Sequence, residues 1–227
     1  TTEIYTLSLH DALPISIGKK FFMGLTGISL ILFLKFHLVN NLSLFGGPEV
    51  FNTVVKNLES IKPIVRVIEV ILALIFLIHI FNGLRLWLEN KKARPQKYAV
   101  NGSSKNSTVY SRTMVQTGTI VFIFLIVHLR TFWMSFNNIG VNGITDHKYY
   151  EFVAASFTDP IYSGFYVIAM ILLGFHLNHG FQSLFQTFGW THKKYTPIIN
   201  IIGTVYSIFV ATAFAIIPIY FLMKGGN

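Results

Sequence analysis

The sequence predicts an all-α integral membrane protein of five transmembrane helices, and three observations carry that prediction. The 227 residues are 52% hydrophobic with a mean hydropathy of +0.56. Only 12% are charged, about half the usual share of a water-soluble domain. Five apolar runs, at roughly 20–44, 64–88, 113–136, 161–187 and 198–222, each reach the ~20 residues that a bilayer core about 30 Å thick demands of a helix. The stretches between them leave no room for a soluble domain, so residues 17–227 are expected to form one membrane domain.

Several chemistries fall away at once. Cysteine is absent, which excludes iron–sulfur clusters, disulfides and haem attached through Cys-x-x-Cys-His. There is no glycine-rich nucleotide fingerprint after a strand and no Walker sequence. The formal charge of +9 reads as loop charge that sets membrane topology, not as a nucleic-acid surface.

Taken in order, residues 1–16 are too short and mixed to span a membrane and lack the basic start of a signal peptide. They look like a translated adapter sequence and are expected to be a non-native extension, His10 included. The first helix follows Ile17-Gly18-Lys19-Lys20, with Gly24 and Gly27 permitting close approach of a neighbour or a flat ligand. After Gly46-Gly47-Pro48, the spacing of Phe51, Val54, Val55, Leu58 and Ile61 marks one face of a short helix. Pro48 suits its first position, and the helix is expected to lie on the membrane surface. Pro63 opens the second spanning helix. A basic loop, Glu89 to Lys97, and a polar coil, Asn101 to Ser107, lead to the third, which ends in His128-Leu129-Arg130-Thr131-Phe132-Trp133. A second surface helix is expected within Asp146–Phe157. Asp159-Pro160 caps the fourth span and Thr196-Pro197 the fifth, which Pro218 is expected to bend or end.

Lysine and arginine set the orientation. One side collects Lys19, Lys20, Arg85, Lys91, Lys92, Arg94, Lys97, Lys105, Arg112, Lys193 and Lys194. The other holds Lys56, Lys62, Arg66, Lys148 and Lys224, with most of the acids. The positive-inside rule then puts the N-terminus in the cytoplasm and the C-terminus outside.

The chemistry lies in four histidines. His37, His79, His128 and His176 fall one to a helix in the first four spans, each about two-thirds of the way along. The helices alternate in direction, so His37 and His128 share the outer level and His79 and His176 the inner one. At 1.5 Å per residue, His37 stands ~25 Å above the inner start of its helix and His79 only ~14 Å from the inner end of its own, so the levels differ by roughly 10 Å. Each pair comes from non-consecutive helices, diagonal in an up-down four-helix bundle. Two imidazoles facing across a slot in hydrocarbon suit the iron of a haem, whose porphyrin supplies the other four nitrogens. Zinc would want four ligands at one depth. With both axial positions filled, the expected work is electron transfer and not oxygen chemistry. For any one such histidine, hydrogen-bonded packing is the common alternative. Four at matched depths favour ligation.

Other residues divide between two roles. Arg85 and Arg130 suit haem propionates or snorkelling to the nearest interface, and Lys35 favours snorkelling or a local pair. His179, on the face of His176, suits a haem carboxylate or plain packing. Asn40, Asn41 and Asn82 lie a turn from a histidine and suit ligand orientation or a quinone oxygen. Glu69 suits proton exchange at such a site or a solvated helix start. Trp87, Trp133 and Trp190 read as interface anchors, and His147 and His192 as loop residues.

The motifs Lys20-Phe21-Phe22-Met23-Gly24-Leu25-Thr26-Gly27, Gly83-Leu84-Arg85-Leu86, His128 to Trp133, His176-Leu177-Asn178-His179-Gly180-Phe181-Gln182 and His192-Lys193-Lys194-Tyr195-Thr196-Pro197 resemble the di-haem cytochrome b subunit of succinate dehydrogenase and fumarate reductase. The Bacteroidota type is the closest likeness, and it covers about residues 17–224. The resemblance implies five spans and two b haems, the inner on His79 and His176 and the outer on His37 and His128. It implies an anchor for a flavoprotein and an iron–sulfur subunit on the cytoplasmic side of a bacterial inner membrane, with menaquinone as substrate and no dehydrogenase site of its own. Reaction direction and association of two complexes are left open. Some relatives carry a glutamate two residues before the fourth-helix histidine. Gly174 stands there, which puts that proton route in doubt.

Two alternatives remain beside this reading. The cytochrome b subunits of nitrate reductase, hydrogenase or formate dehydrogenase distribute their histidines differently among their helices. A transporter or structural membrane protein would be colourless, and broken helices in matching halves are not visible in the sequence.

Overall fold

A computed structural model describes residues 3–92, 112–139, 144 and 146–225. Among them every regular element is helical. Helix α1 (Glu3–Leu42) ends in a 3-10 turn, Ser43–Gly46, and is followed by α2 (Pro48–Ser60) and α3 (Lys62–Lys92). Then come α4 (Met114–Phe136), α5 (Tyr149–Ser156), α6 (Pro160–Thr187) and α7 (Thr196–Lys224). Five stretches are long and apolar enough to cross a membrane: Gly18–Gly46 within α1 and its 3-10 turn, α3, α4, α6 and α7. The fold class read from the sequence is therefore observed. The helical backbone of α1 runs back to Glu3, through the segment the sequence sets apart. Arg94, Lys97, Lys105 and the coil Asn101 to Ser107 lie outside the described residues.

The spans form the expected four-helix arrangement. Helix α1 packs on α3 and on α6, α4 packs on α6, and α3 touches α4. This circuit sets α1 diagonally from α4, and α3 diagonally from α6. Helix α7 lies outside it, packed along α6 and more lightly against α1. The α6–α7 seam is polar at one level, where the buried Asn178 accepts at Oδ1 from Gln182 (2.8 Å) and from the Thr204 hydroxyl (3.2 Å). Helix α3 buries none of its residues. Ile64, Val67, Val70, Leu74 and Phe81 are all more than half exposed. An apolar face of that extent is incompatible with water and natural in lipid.

Helix ends follow local chemistry. Gly47 adopts φ 87°, a conformation other residues avoid, and delivers the chain to Pro48 at the start of α2. Asp159 caps α6 as predicted, its Oδ1 accepting from the backbone N–H of Ile161 (2.7 Å) and of Tyr162 (3.3 Å). Two expectations are corrected. Thr196 does not cap α7: it is the first helical residue, and its hydroxyl instead accepts from the His192 backbone N–H at 2.9 Å. Nor does Pro218 end α7, which continues to Lys224 and closes on Gly225 in the left-handed region. Pro218 is fully buried, and packing around the ring offsets the lost backbone bond.

The largest packed core sits at the end opposite Lys19. Leu44, Phe51, Phe132, Tyr150, Phe157 and Phe221 meet there, bringing α2 and α5 against the ends of α4, α6 and α7. Asn52 accepts from the Tyr150 backbone N–H at 2.9 Å. The buried Tyr149 hydroxyl donates to Glu59 at 2.5 Å, and His147 stands 3.3 Å from the same carboxylate. Arg66 of α3 reaches Glu69 (2.7 Å), Asn137 beyond α4 (2.6 Å) and the face of Trp133 (5.6 Å). Glu69 is thus ion-paired, and Trp133 is a partner of Arg66.

Burial first, then the hydrogen bond to Glu59 and its charge, push the Tyr149 phenol above its ordinary range. Its folded-state proton is therefore held more tightly than in the unfolded chain. The associated stability is complete below the ordinary tyrosine value of about 10 and is lost as pH rises beyond it. Thermal unfolding in detergent between about pH 9 and 12 should accordingly show a shallower alkaline decline for Tyr149→Phe than for the unsubstituted protein. Parallel declines would contradict the assignment.

Candidate functional site

The diagonal helices bring the four histidines together in two pairs. The rings of His37 (α1) and His128 (α4) lie 5.7 Å apart, centre to centre, at 89°. Those of His79 (α3) and His176 (α6) lie 6.3 Å apart at 69°. All four are half-buried. These are the pairs that helix direction and depth predict, and among the described residues no ring contact joins one pair to the other.

The two levels differ in their surroundings. The His37 and His128 level is aromatic: Phe33 stacks on His37 (5.3 Å, 18°) and Phe124 on His128 (5.5 Å, 29°). Each phenylalanine lies four residues before its histidine, one turn back on the same helix face. Phe132, Phe214 and the buried Tyr166 close the remaining sides. Immediately after His128 the helix widens into a π turn, Leu129–Trp133, a distortion that occurs preferentially at functional sites. Asn41 points its amide Nδ2 at the His37 ring nitrogens (3.4 and 3.5 Å) while donating to the His37 carbonyl (2.8 Å).

The His79 and His176 level is lined by small residues. The buried Thr26 places its hydroxyl 3.1 Å from His79 Nδ1. A Cβ on Gly27 would come within 3.9 Å of His79 Cε1, and one on Gly118 within 3.1 Å of His176 Cε1. The Nδ1 atoms of His128 and His176 are buried without a well-formed hydrogen bond.

This donor set fits a haem iron at each level. Two imidazoles on opposite sides of one metal, each about 2 Å from it and with ring centres about 1 Å further on, stand roughly 6 Å apart, close to both observed separations. The pairs are diagonal, so a planar group between them would be flanked by all four helices. A metal on Nε2 gives paired rings in hydrocarbon a function that packing alone does not, with Nδ1 left to be satisfied separately. Among the described residues no cluster of three or more ligating side chains exists.

The remaining candidates separate. Arg85 is exposed and engages Glu89 at 3.0 Å, and Lys19 joins the same carboxylate at 2.8 Å, strapping the start of the α1 span to the end of α3. Arg130 is exposed within the π turn, and His179 is half-buried one turn beyond His176. Asn82 is half-buried, while Asn40 and Lys35 are exposed. Trp87 packs under Lys91 (5.3 Å). Thr26, Gly118, Phe33 and Phe124 were not singled out from the sequence as site residues. The four-residue spacing of the phenylalanines was the available signal for two of them.

Residues 20–104 match a protein-family model, that of the succinate dehydrogenase/fumarate reductase transmembrane subunit. The matched stretch holds the first two spans with His37 and His79, and Thr26 and Gly27, which face His79. The match makes this stretch similar to that family, and together with the five long apolar helices it supports a multi-pass membrane protein. No curated protein and no solved structure matches the chain.

The 3.1 Å approach at Gly118 makes a direct check possible. Gly118→Val should destabilise the protein by about 1–3 kcal/mol through overpacking against the His176 ring. In the double variant Gly118→Val/His176→Ala much of that cost should vanish, a non-additivity measurable by thermal unfolding in detergent. Strict additivity would show that Gly118 and His176 do not meet.

Proposed function

We propose that the chain is the membrane anchor and electron-transfer subunit of a succinate:quinone oxidoreductase, working through two b haems, each held by two histidines. The observation that carries this reading is the pairing of His37 with His128 and of His79 with His176 across the diagonals of one bundle, at 5.7 and 6.3 Å. A structural membrane protein has no need of two such pairs at separate depths.

When bound, each haem supplies one-electron carriage between partners that cannot meet directly. The chain's own residues hold, orient and insulate it. His79 and His176 serve the centre nearer the basic end, and His37 and His128 the other. Phe33 and Phe124 fix the outer rings by stacking and keep water from them. Arg130 and His179 remain suited to haem carboxylates. Arg85, committed to Glu89, belongs instead to the basic end of the bundle.

In this reading the basic end faces the cytoplasm of a bacterial inner membrane and receives a flavoprotein and an iron–sulfur subunit, with menaquinone as the membrane substrate. The positive-inside bias supports the orientation. With the inside negative, an electron moving outward from the His79 level to the His37 level travels with the membrane field, worth about 2.3 kcal/mol per 100 mV for a full crossing.

The test is the pyridine haemochrome of the purified protein beside four single His→Ala variants. The expected result is two b haems per chain. His37→Ala and His128→Ala should each lose one, and His79→Ala and His176→Ala the other, with the two losses spectroscopically distinct. A colourless wild type produced with ample haem would overturn the proposal.

A further inference from the structure

We propose that Thr26 is a positioning residue for the inner centre: its hydroxyl holds the proton of His79 on Nδ1, so that Nε2 keeps its lone pair for the group bound between His79 and His176. The inference rests on the haem reading above and adds to it a residue of α1 whose hydroxyl meets His79.

The argument is one of hydrogen-bond inventory. Thr26 Oγ1 lies 3.0 Å from the carbonyl oxygens of both Phe22 and Met23, one turn back in its own helix. It also lies 3.1 Å from His79 Nδ1 on α3. Carbonyl oxygens only accept, and a hydroxyl has one proton to give. That proton is drawn to the two carbonyls, in the back-bonded geometry usual for threonine within a helix. The hydroxyl lone pair is what remains for His79, so Nδ1 must donate. A neutral imidazole has a single N–H, and Nε2 is therefore the bare nitrogen. Thr26 is 7% exposed, so water does not compete for this contact. Gly27, beside it, leaves the surface of α1 open to the His79 ring.

The other three histidines are held differently. Nδ1 of His128 and of His176 is buried without a well-formed hydrogen bond, and the group facing the His37 ring is an amide donor, Asn41 Nδ2. Among the four, His79 is the one whose Nδ1 meets a side-chain acceptor. A partner that accepts from the distal N–H of a ligating histidine fixes its tautomer and raises its basicity. A more basic ligand favours the ferric over the ferrous state, so Thr26 lowers the potential of the inner centre selectively.

The test compares wild type, Thr26→Val and Thr26→Ser in the intact chain, purified with its haem. Haem per chain is measured first, and then both midpoint potentials by absorbance during a redox titration. Thr26→Val should raise the inner midpoint, with a roughly tenfold change in the ferric-to-ferrous ratio at fixed potential, or about 59 mV for one electron. The outer midpoint should stay put, and Thr26→Ser should behave as wild type. If valine is not accepted, Thr26→Ala removes the hydroxyl without added bulk and should shift the same midpoint. Unchanged midpoints in a haem-replete valine or alanine variant would overturn the role of Thr26. So would equal shifts in valine and serine variants, which would mark a packing effect. A wild type without haem would instead overturn the function on which the inference rests.

Discussion

An imidazole inside a bilayer must be given something to bind. Water is not there to satisfy it, and an unpaired polar group in hydrocarbon costs several kcal/mol. This chain places one such ring on each of four successive spans, and the bundle is arranged around that constraint. The rings meet only across diagonals, which requires α1, α3, α4 and α6 to alternate in direction and close into a square. Helix α7 has no histidine and stands outside the square, pinned to α6 through Asn178 and Thr204.

The two ends are built differently. Away from the basic end, α2 and α5 lock the span termini through a continuous aromatic core, with Glu59, Tyr149 and Asn52 as polar fasteners. At the basic end the tie between α1 and α3 is an ionic strap, with Lys19 and Arg85 sharing Glu89. Exposed pairs of this kind contribute little stability, so that end is held chiefly by helix packing. The same asymmetry reaches the histidines. The His37 and His128 rings are clamped by stacked phenylalanines, whereas His79 is held by one hydroxyl and His176 by the room that Gly118 leaves.

Much of this was legible in the sequence, for physical reasons. Span number follows from apolar length, and the pairing of His37 with His128 and of His79 with His176 follows from depth along helices of alternating direction, a one-dimensional calculation. The Asp159 cap is local and was equally readable. Contacts that depend on the rotational phase between helices were not. Nothing in the sequence says that Thr26 faces α3 or that Gly118 faces His176. The pairing of Arg85 with Glu89 is an i,i+4 relation and was available, while the sequence reading left Arg85 between a haem propionate and the interface. Pro218 does not end its helix because a buried helix tolerates proline when its neighbours pack the ring, and the π turn after His128 left no mark in composition.

The most direct test of the central claim is the near-infrared magnetic circular dichroism of the oxidised, purified wild-type protein, scaled to protein concentration. Two centres each held by a histidine pair predict low-spin ferric haem with the charge-transfer band of bis-imidazole ligation, at an intensity matching two haems per chain. A high-spin spectrum, a band of mixed ligation, or an intensity matching a single haem would contradict the account.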